Sequence, residues 1–260
     1  MSNIDLTKSE QYTLSIRLSA DGFSFSVYHP QKTEDFLHAS YTVNPSYSMT
    51  ANIKKMFASM NELSQPYQQV NILIDTERFT TVPFDLFEDE LTEELFHQNF
   101  LKDDNETILC NILGKSNVAL LFGMDRHAHQ ALIEHFGQVR IFACVSPLTE
   151  LFTSKSQEGN CRKLFAHFLP DKMEVFAFDR NKLLLINSFK CHIVADQVYY
   201  LLFIWQQLGF SQEKDQIYLS GGTNIGKDLP TELSKFLRQV TLLPTENNLP
   251  FDLQTLMTSE

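Results

Sequence analysis

The sequence predicts an α/β protein of two similar halves, each with the element order β-β-β-α-β. The first observation is that each half opens with short apolar runs separated by polar turns, followed by one apolar helix and one buried strand. The second is spacing. The starts of the first and fourth strands are 58 positions apart in the first half (residues 12 and 70) and 56 apart in the second (161 and 217). We therefore expect residues 1–75 and 161–222 to be two copies of one unit.

The first half begins with a predicted hairpin. Strands are predicted at residues 12–18 and 23–28, because apolar and polar side chains alternate along the second run, as in a half-buried strand. Between them, Asp21-Gly22 is a typical hairpin turn sequence. A third strand is predicted at residues 36–43.

A helix and a buried strand complete this half. The helix is predicted at residues 50–63, where apolar side chains recur at helical spacing: Ile53, Met56, Phe57, Met60 and Leu63. The strand at residues 70–75 (VNILID) is almost continuously apolar, which is typical of a central strand covered on both faces.

The second half repeats this order. Its predicted elements are strands 161–169, 173–179 and 183–189, helix 195–208, strand 217–220 and helix 229–239. Gly209 follows the first helix as a C-cap residue, and Pro230 lies in the first turn of the second. Trp205 lies among apolar residues at helical spacing and is predicted to be in the core.

An inserted segment separates the repeated units. Residues 84–100 are predicted to form an acidic helix, 118–123 and 139–145 to form strands, and Asp125 to cap a helix that ends before Gly137. Pro147 can open the helix that leads into the second half. The predicted domains are therefore residues 1–150, with an inserted α/β segment at about 77–150, and residues 151–260.

Composition restricts the partners. The chain has 260 residues and a formal charge of −11, and such a negative field repels nucleic acid and anionic membrane surfaces. The sequence shows no secretory signal and no apolar run long enough to cross a bilayer. Its four cysteines, which form no CxxC pair, are predicted to be isolated buried thiols: Cys110, Cys144, Cys161 and Cys191. These features favour the cytoplasm.

One short motif has the composition of a ligand-binding turn. The predicted strand at residues 217–220 ends in Ser220, and Gly221-Gly222 follows it. Paired glycines allow the backbone to approach a flat base and ribose closely, because no β-carbon intervenes. The same sequence is also compatible with a tight turn between strand and helix, so both interpretations stay open.

The order of elements, together with this motif, resembles the actin, hexokinase and Hsp70 superfamily. The chain as a whole is similar to an uncharacterised bacterial family with an actin-like ATPase (ribonuclease H-like) fold, and to pilus and secretion-system assembly proteins that use this fold as a scaffold. The resemblance implies a duplicated α/β fold with two mixed sheets covered by helices. It also implies that Ser220, Gly221 and Gly222 contact a nucleotide, with ATP as the candidate cofactor.

The chain departs from this superfamily where the catalytic Asp-x-Gly stretches belong. Alignment of the first strands places Arg17 and Ser19 there in one half, and His167 and Leu169 in the other. The Asp21-Gly22 pair lies about four residues later, in the hairpin turn. The resemblance therefore implies a degenerate pseudo-ATPase with no catalytic residues of the expected kind.

Other constellations give no metal site. His127 and His129 would point about 200° apart on a helix. The run Asp103-Asp104-Asn105-Glu106 begins like a calcium loop but lacks its later Gly and closing Glu.

Three functions follow. The first is a non-catalytic scaffold that itself binds both a protein partner and a nucleotide. The second is an active kinase or ATPase using displaced carboxylates such as Asp21, Asp75 or Asp171. The third is a small-molecule sensor in a cleft between the halves.

Overall fold

The computed structural model describes residues 4–222, 225–244 and 249–259. The chain divides into two compact units. Unit 1 comprises Met1–Leu113, Asn117–Pro147 and Thr255–Glu260, and unit 2 comprises Gly114–Ser116 and Leu148–Gln254. The predicted two-domain division at residue 150 stays a prediction.

Unit 1 contains two sheets and the helices that pack on them. Its strands and α-helices are β1 (Thr13–Ser19), β2 (Gly22–His29), β3 (Lys32–Tyr41), α1 (Met49–Ser59), β4 (Gln69–Ile74), β5 (Phe79–Pro83), α2 (Thr92–His97), β6 (Glu106–Leu113), β7 (Val118–Asp125), α3 (Arg126–Phe136) and β8 (Arg140–Ala143). The larger sheet has the order β3-β2-β1-β4-β8, and the smaller has the order β5-β7-β6. In the larger sheet β1 is antiparallel to β2 but parallel to β4, which makes the sheet mixed.

Side-chain caps determine where two of these helices begin. Ser48 accepts a hydrogen bond from the Ala51 amide at the start of α1, and Asp125 accepts one from the Ala128 amide, at 2.7 Å, at the start of α3. Each cap satisfies a backbone donor that has no partner within the helix. The predicted cap at Asp125 is confirmed.

Unit 2 contains a sheet of the same order. Its elements are α4 (Val145–Ser156), which begins at the end of unit 1, β9 (Lys163–Phe168), β10 (Lys172–Asp179), β11 (Lys182–Lys190), α5 (Val194–Gln207), β12 (Gln216–Ser220), α6 (Leu229–Ser234), β13 (Val240–Leu242) and α7 (Phe251–Ser259), which continues into unit 1. The sheet order is β11-β10-β9-β12-β13. Here β9 is antiparallel to β10 and parallel to β12, as β1 is to β2 and β4.

One apolar core of unit 2 lies between this sheet and the helices α5 and α6. Trp205 on α5 is buried against apolar side chains of the sheet and of α6, so the prediction that it is a core residue is confirmed. Residues of both helices and of β9, β10 and β12 belong to one apolar cluster. Packing of this kind holds the ends of β9 and β12 in fixed positions.

The predicted acidic helix at residues 84–100 is wrong. The segment contains two single-turn 3-10 helices, Phe84–Leu86 and Asp89–Leu91, before the short helix α2. Phe87 and Glu88 between them have extended backbone. A continuous helix would place like charges three and four residues apart, Asp85 against Asp89 among them, and such pairs destabilise a helix.

Other differences are smaller. Strands β5, β6 and β13 and helix α7 were not predicted, and the predicted helix 229–239 is the shorter α6. All four cysteines are free thiols, but Cys110 and Cys161 are only partly buried, contrary to the expectation. Across the described residues, no helix has the length and apolar character needed to span a membrane.

Candidate functional site

In unit 1, an ion pair occupies the place where the sequence comparison expects a catalytic carboxylate. Strands β1 and β4 are parallel neighbours, so their carboxyl ends lie at the same edge of the sheet. Arg17 Nη2 lies 3.4 Å from Asp75 Oδ2, and each of these side chains is only 10% exposed. Ser19 Oγ donates a hydrogen bond of 2.8 Å to the same carboxylate oxygen. The structure therefore brings Arg17 and Ser19 together around Asp75.

The hairpin carboxylate also faces this arginine. Asp21 Oδ1 lies 3.9 Å from Arg17 Nη1, with the Asp21 side chain about half exposed. Ser19 pairs with Gly22, so Ala20 and Asp21 form the turn. Gly22 itself is in the strand and does not have positive φ, unlike the expectation for an Asp-Gly turn. Arg17 thus has a carboxylate on either side, one buried and one at the surface.

In unit 2, the corresponding edge has a histidine–serine pair instead. Ser220, the last residue of β12, is opposite His167 of β9 in the parallel register. The Ser220 hydroxyl and His167 Nδ1 are hydrogen-bonded at 3.1 Å, and both side chains are buried. The His167 ring also lies 5.6 Å from the ring of Phe251. His167 is therefore a packed residue with its Nδ1 engaged.

The glycine pair Gly221-Gly222 comes directly after β12, which ends at Ser220. Gly221 has φ of +122°, and Gly222 has φ of +57°. A β-carbon on Gly221 would lie 2.3 Å from the carbonyl oxygen of Phe168, at the end of the neighbouring strand β9. Glycine is thus required at residue 221 by the packing of two strands, whether or not a ligand binds. For Gly222, the positive φ also favours glycine.

The alignment of Arg17 with His167 agrees with the two sheets. Arg17 is the fifth residue of β1 and lies opposite Leu73 of the parallel strand β4. His167 is the fifth residue of β9 and lies opposite Ser220 of the parallel strand β12.

Asp171, the remaining carboxylate proposed from the sequence, is exposed in the β9–β10 turn. Its backbone carbonyl oxygen accepts a hydrogen bond from the Cys191 amide.

The two ends differ in the side chains that occupy them. In unit 1 the buried group is a cation paired with a carboxylate, whereas in unit 2 it is a histidine that shares a hydrogen bond with a serine. Within the part of the chain that the structure describes, no group of three His, Cys, Asp or Glu side chains could hold a metal ion.

The histidine His129, which the sequence analysis examined as a metal ligand, lies on α3. Its partial burial lowers its pKa, which favours the neutral form.

Comparison with known proteins assigns the family. Residues 1–240 match the model of a family described as Protein of unknown function (DUF3822). The chain belongs to this family. Among solved structures, it is 43% identical to a protein from Bacteroides thetaiotaomicron VPI-5482 described as having an actin-like ATPase fold and unknown function. The TM-score is 0.91, and 99% of each chain is covered. This DUF3822 chain therefore has the actin-like ATPase fold, as predicted.

More distant structures share the fold. A chain of the PilM–PilN type IV pilus biogenesis complex is 12% identical with a TM-score of 0.60, covering 89% of this chain and 88% of that one. The cytoplasmic domain of EpsL, an inner membrane component of the type II secretion system of Vibrio cholerae, is 15% identical with a TM-score of 0.50, covering 96% of both. Among curated proteins, none matches the DUF3822 chain in sequence.

Proposed function

We propose that this protein is a non-catalytic interaction scaffold with an actin-like fold, which binds a protein partner and accepts a nucleotide at Ser220, Gly221 and Gly222. The observation that carries the non-catalytic part is the cluster around Arg17. Phosphoryl transfer depends on metal ions and charged groups held in register with the γ-phosphate. Arg17 instead brings a cation between Asp75 and Asp21.

The charge of this cluster opposes magnesium binding. Mg²⁺ is held through one or two carboxylates and retained water molecules, in near-octahedral geometry. At Asp75, one oxygen already receives a hydrogen bond from Ser19 and faces the Arg17 guanidinium. A second cation at this carboxylate would be repelled by the first. This supports an assignment of Asp75 to structure and not to catalysis.

Two features support the scaffold assignment. The PilM–PilN structure contains a chain of this fold in a complex with another protein, which makes partner binding a reasonable function for the DUF3822 chain. The chain also exposes large apolar side chains that its own packing does not use.

The catalytic part is tested by phosphate release. Purified protein incubated with ATP and magnesium is expected to release no phosphate above the protein-free control. Asp21→Asn is the informative variant, because Asp21 is at the surface and its replacement leaves the buried pair with Asp75 in place. Magnesium-dependent turnover that Asp21→Asn removes would identify the alternative, an active kinase or ATPase with a displaced carboxylate.

The nucleotide part is tested separately by a thermal shift with ATP. Gly222→Ala places a methyl group in the glycine pair and is expected to abolish the shift. Gly209→Ala is the matched control, since Gly209 also has positive φ, lies in the same unit and is followed by no candidate site. Equal ATP shifts in the two variants would remove nucleotide binding at Gly222 from the proposal.

A further inference from the structure

Helix α5 of unit 2 exposes two aromatic side chains that pack on each other. Tyr199 is 62% exposed, and Phe203, one turn later, is 48% exposed. Their rings are stacked, with centroids 6.1 Å apart and planes 17° from parallel. Single exposed apolar residues are normal, but aromatic side chains grouped on one surface are typical of interaction sites.

Neighbouring rings hold this pair in place. The Tyr199 ring meets the Tyr200 ring edge-on, with centroids 5.5 Å apart, and Tyr200 packs on Phe189 of β11 at 4.9 Å. On its other side α5 is anchored in the apolar core of unit 2 by Trp205 and its neighbours. The aromatic pair is therefore presented by a fixed helix, so covering it requires little ordering of the chain.

The exposed residues of α5 form one stripe along the helix. At 100° per residue they lie within about 120° of its circumference. We call this stripe the open face of α5; its members are Ala195, Asp196, Tyr199, Phe203, Gln206 and Gln207.

The open face carries one charged group, Asp196 in its first turn. Residues 197–212 contain no Asp, Glu, Lys or Arg. In β11, Lys190 follows Phe189 and points to the other face of the sheet, because successive side chains of a strand alternate. The neighbouring helix α6 carries Glu232, which pairs with the following Lys235 at 2.6 Å.

Charged groups resume at the two ends of the helix. Asp171 lies at the N-terminal end, where its carbonyl oxygen accepts a hydrogen bond from the Cys191 amide. Residues 226–228 approach Val194 at the same end and include one cation and one carboxylate. After the C-terminal end, the first charged residue is Glu213. The two aromatic side chains therefore lie in the uncharged middle of the helix.

The order of residues along the open face is self-complementary. When two copies of α5 cross antiparallel about a two-fold axis near residue 201, Tyr199 of each copy lies opposite Phe203 of the other. The same axis brings Asp196 opposite Gln206, whose side-chain amide can donate a hydrogen bond to the carboxylate. Aromatic groups thus meet aromatic groups, and the carboxylate meets an amide donor. Homodimers are built from contacts of this isologous kind.

Net charge disfavours other occupants. The formal charge of −11 repels nucleic acid and anionic membranes. A strongly basic segment would find one carboxylate on the open face. For two copies of the chain, the same charge makes an uncharged surface the place where they approach with least repulsion.

We propose that the open face of α5 is a dimerisation surface, covered by the same face of a second copy of this chain. The dimer is closed, because the two-fold axis uses each open face once, so association stops at two copies and forms no filament. This inference goes beyond the scaffold function proposed above and does not depend on it.

The experiment is sedimentation equilibrium of the full chain. Its mass is expected to rise with concentration from 30.0 kDa to twice that value. One helix face is smaller than a standard interface, so we expect a dissociation constant of about 10–100 µM and a monomer below about 1 µM. Raising the salt concentration from about 10 mM to about 200 mM should tighten the dimer, because it screens the repulsion between two acidic chains.

Substitutions on the open face test the antiparallel register. Phe203→Lys should weaken dimerisation about tenfold or more, since it buries a charge among aromatic rings. Gln206→Glu should also weaken it, because the new carboxylate faces Asp196 of the other copy. Gln206→Lys should tighten it instead, and the double variant Asp196→Lys, Gln206→Glu should restore dimerisation lost in Gln206→Glu.

Leu242→Lys is the matched control. Leu242 is 54% exposed in the same unit, but it lies on β13, at the edge of the sheet opposite to β11. This variant changes the net charge as Phe203→Lys does and should dimerise as the wild type does. Native fluorescence of the buried Trp205 confirms that each variant is folded.

Several results would overturn the dimerisation surface. They are a mass that stays at 30.0 kDa up to about 200 µM, a mass that keeps rising beyond two copies, and a dimer that Phe203→Lys leaves intact. Equal effects of Gln206→Lys and Gln206→Glu would rule out the proposed pairing. A monomer that binds vesicles of neutral phosphatidylcholine, and loses this binding in Phe203→Lys, would assign the open face to a membrane instead.

Discussion

At the end of β12, Gly221 packs so closely against β9 that its lack of a side chain has a measurable effect on stability. We predict that Gly221→Ala lowers the free energy of unfolding by at least about 2 kcal/mol, because φ is positive and the new β-carbon would overlap the Phe168 carbonyl oxygen. Urea unfolding measures the difference. Gly114→Ala, in a turn where a β-carbon meets no atom within 4 Å, should change it by no more than about 0.5 kcal/mol.

His38 makes the stability depend on pH. Burial lowers its pKa below the ordinary 6.5, while its Nδ1 lies 3.0 Å from the Phe25 carbonyl oxygen. The unfolded chain therefore binds the proton more strongly than the folded chain, so the stability present above pH 6.5 is lost as the pH falls. Unfolding free energies measured at pH 7 and about pH 5.5 should show this loss, which His38→Gln should reduce.

The exposed His127 is the comparison for this measurement. His127→Gln should leave the pH dependence as in the wild type. If the unfolding free energy of His38→Gln depends on pH as strongly as that of the wild type, groups other than His38 cause the dependence.

Helix α5 has buried apolar residues on one side and exposed apolar residues on the other. Trp205 is buried and packs edge-on against Phe210, with ring centroids 5.1 Å apart. Its Nε1 has no hydrogen-bond partner among the described residues. We predict that Trp205→Ala costs about 3–5 kcal/mol in the free energy of unfolding. Trp205→Phe should cost less, because it also removes a buried donor that lacks an acceptor.

Denaturant unfolding and native fluorescence test this helix together. The fluorescence emission of Trp205 in the native protein should be that of an indole shielded from water. Phe203 lies on the exposed side of α5, so Phe203→Ala should change the free energy of unfolding by only about 0.5 kcal/mol. Equal losses in Trp205→Ala and Phe203→Ala would contradict the assignment of the buried face.

Elements with strong periodicity were predictable, and those determined by distant partners were not. The repeated strands, α1 and α5 show their buried faces in the local sequence, so they were found. Strand β5 is short and partly exposed, and it is ordered by its pairing with β7, which lies some forty residues further along the chain. The Arg17–Asp75 pair could not be read from either residue, because it forms only when β1 and β4 become neighbours.

Over the whole molecule, two sheets share one order and one set of strand directions. The periodicity and the similar spacing of the two halves were sufficient to predict the order of elements in both. Whether the halves arose by duplication stays a prediction, as do the nucleotide contacts of Ser220, Gly221 and Gly222. Those contacts depend on a ligand, and a glycine pair demanded by strand packing looks the same in sequence as one demanded by a nucleotide.

The net charge gives a prediction for the whole chain. A formal charge of −11 produces self-repulsion that destabilises the compact state. Raising the salt concentration from about 10 mM to about 200 mM at pH 7 should therefore raise the melting temperature, since screening weakens this repulsion. The effect should largely vanish near pH 5.2, where the chain has no net charge. A salt effect of equal size at both pH values would rule out this explanation.

The close approach of Gly221 to Phe168 also affects how the history of such proteins can be inferred. If an ancestor bound a nucleotide and a descendant lost that ability, selection for folding alone would still retain glycine at residue 221. Survival of this residue across lineages would then record the continued pairing of two strands and carry no information about the ligand. Under the proposed function, substitutions at Arg17 and His167, where the two halves carry different side chains, would be the more informative record of a loss of catalysis.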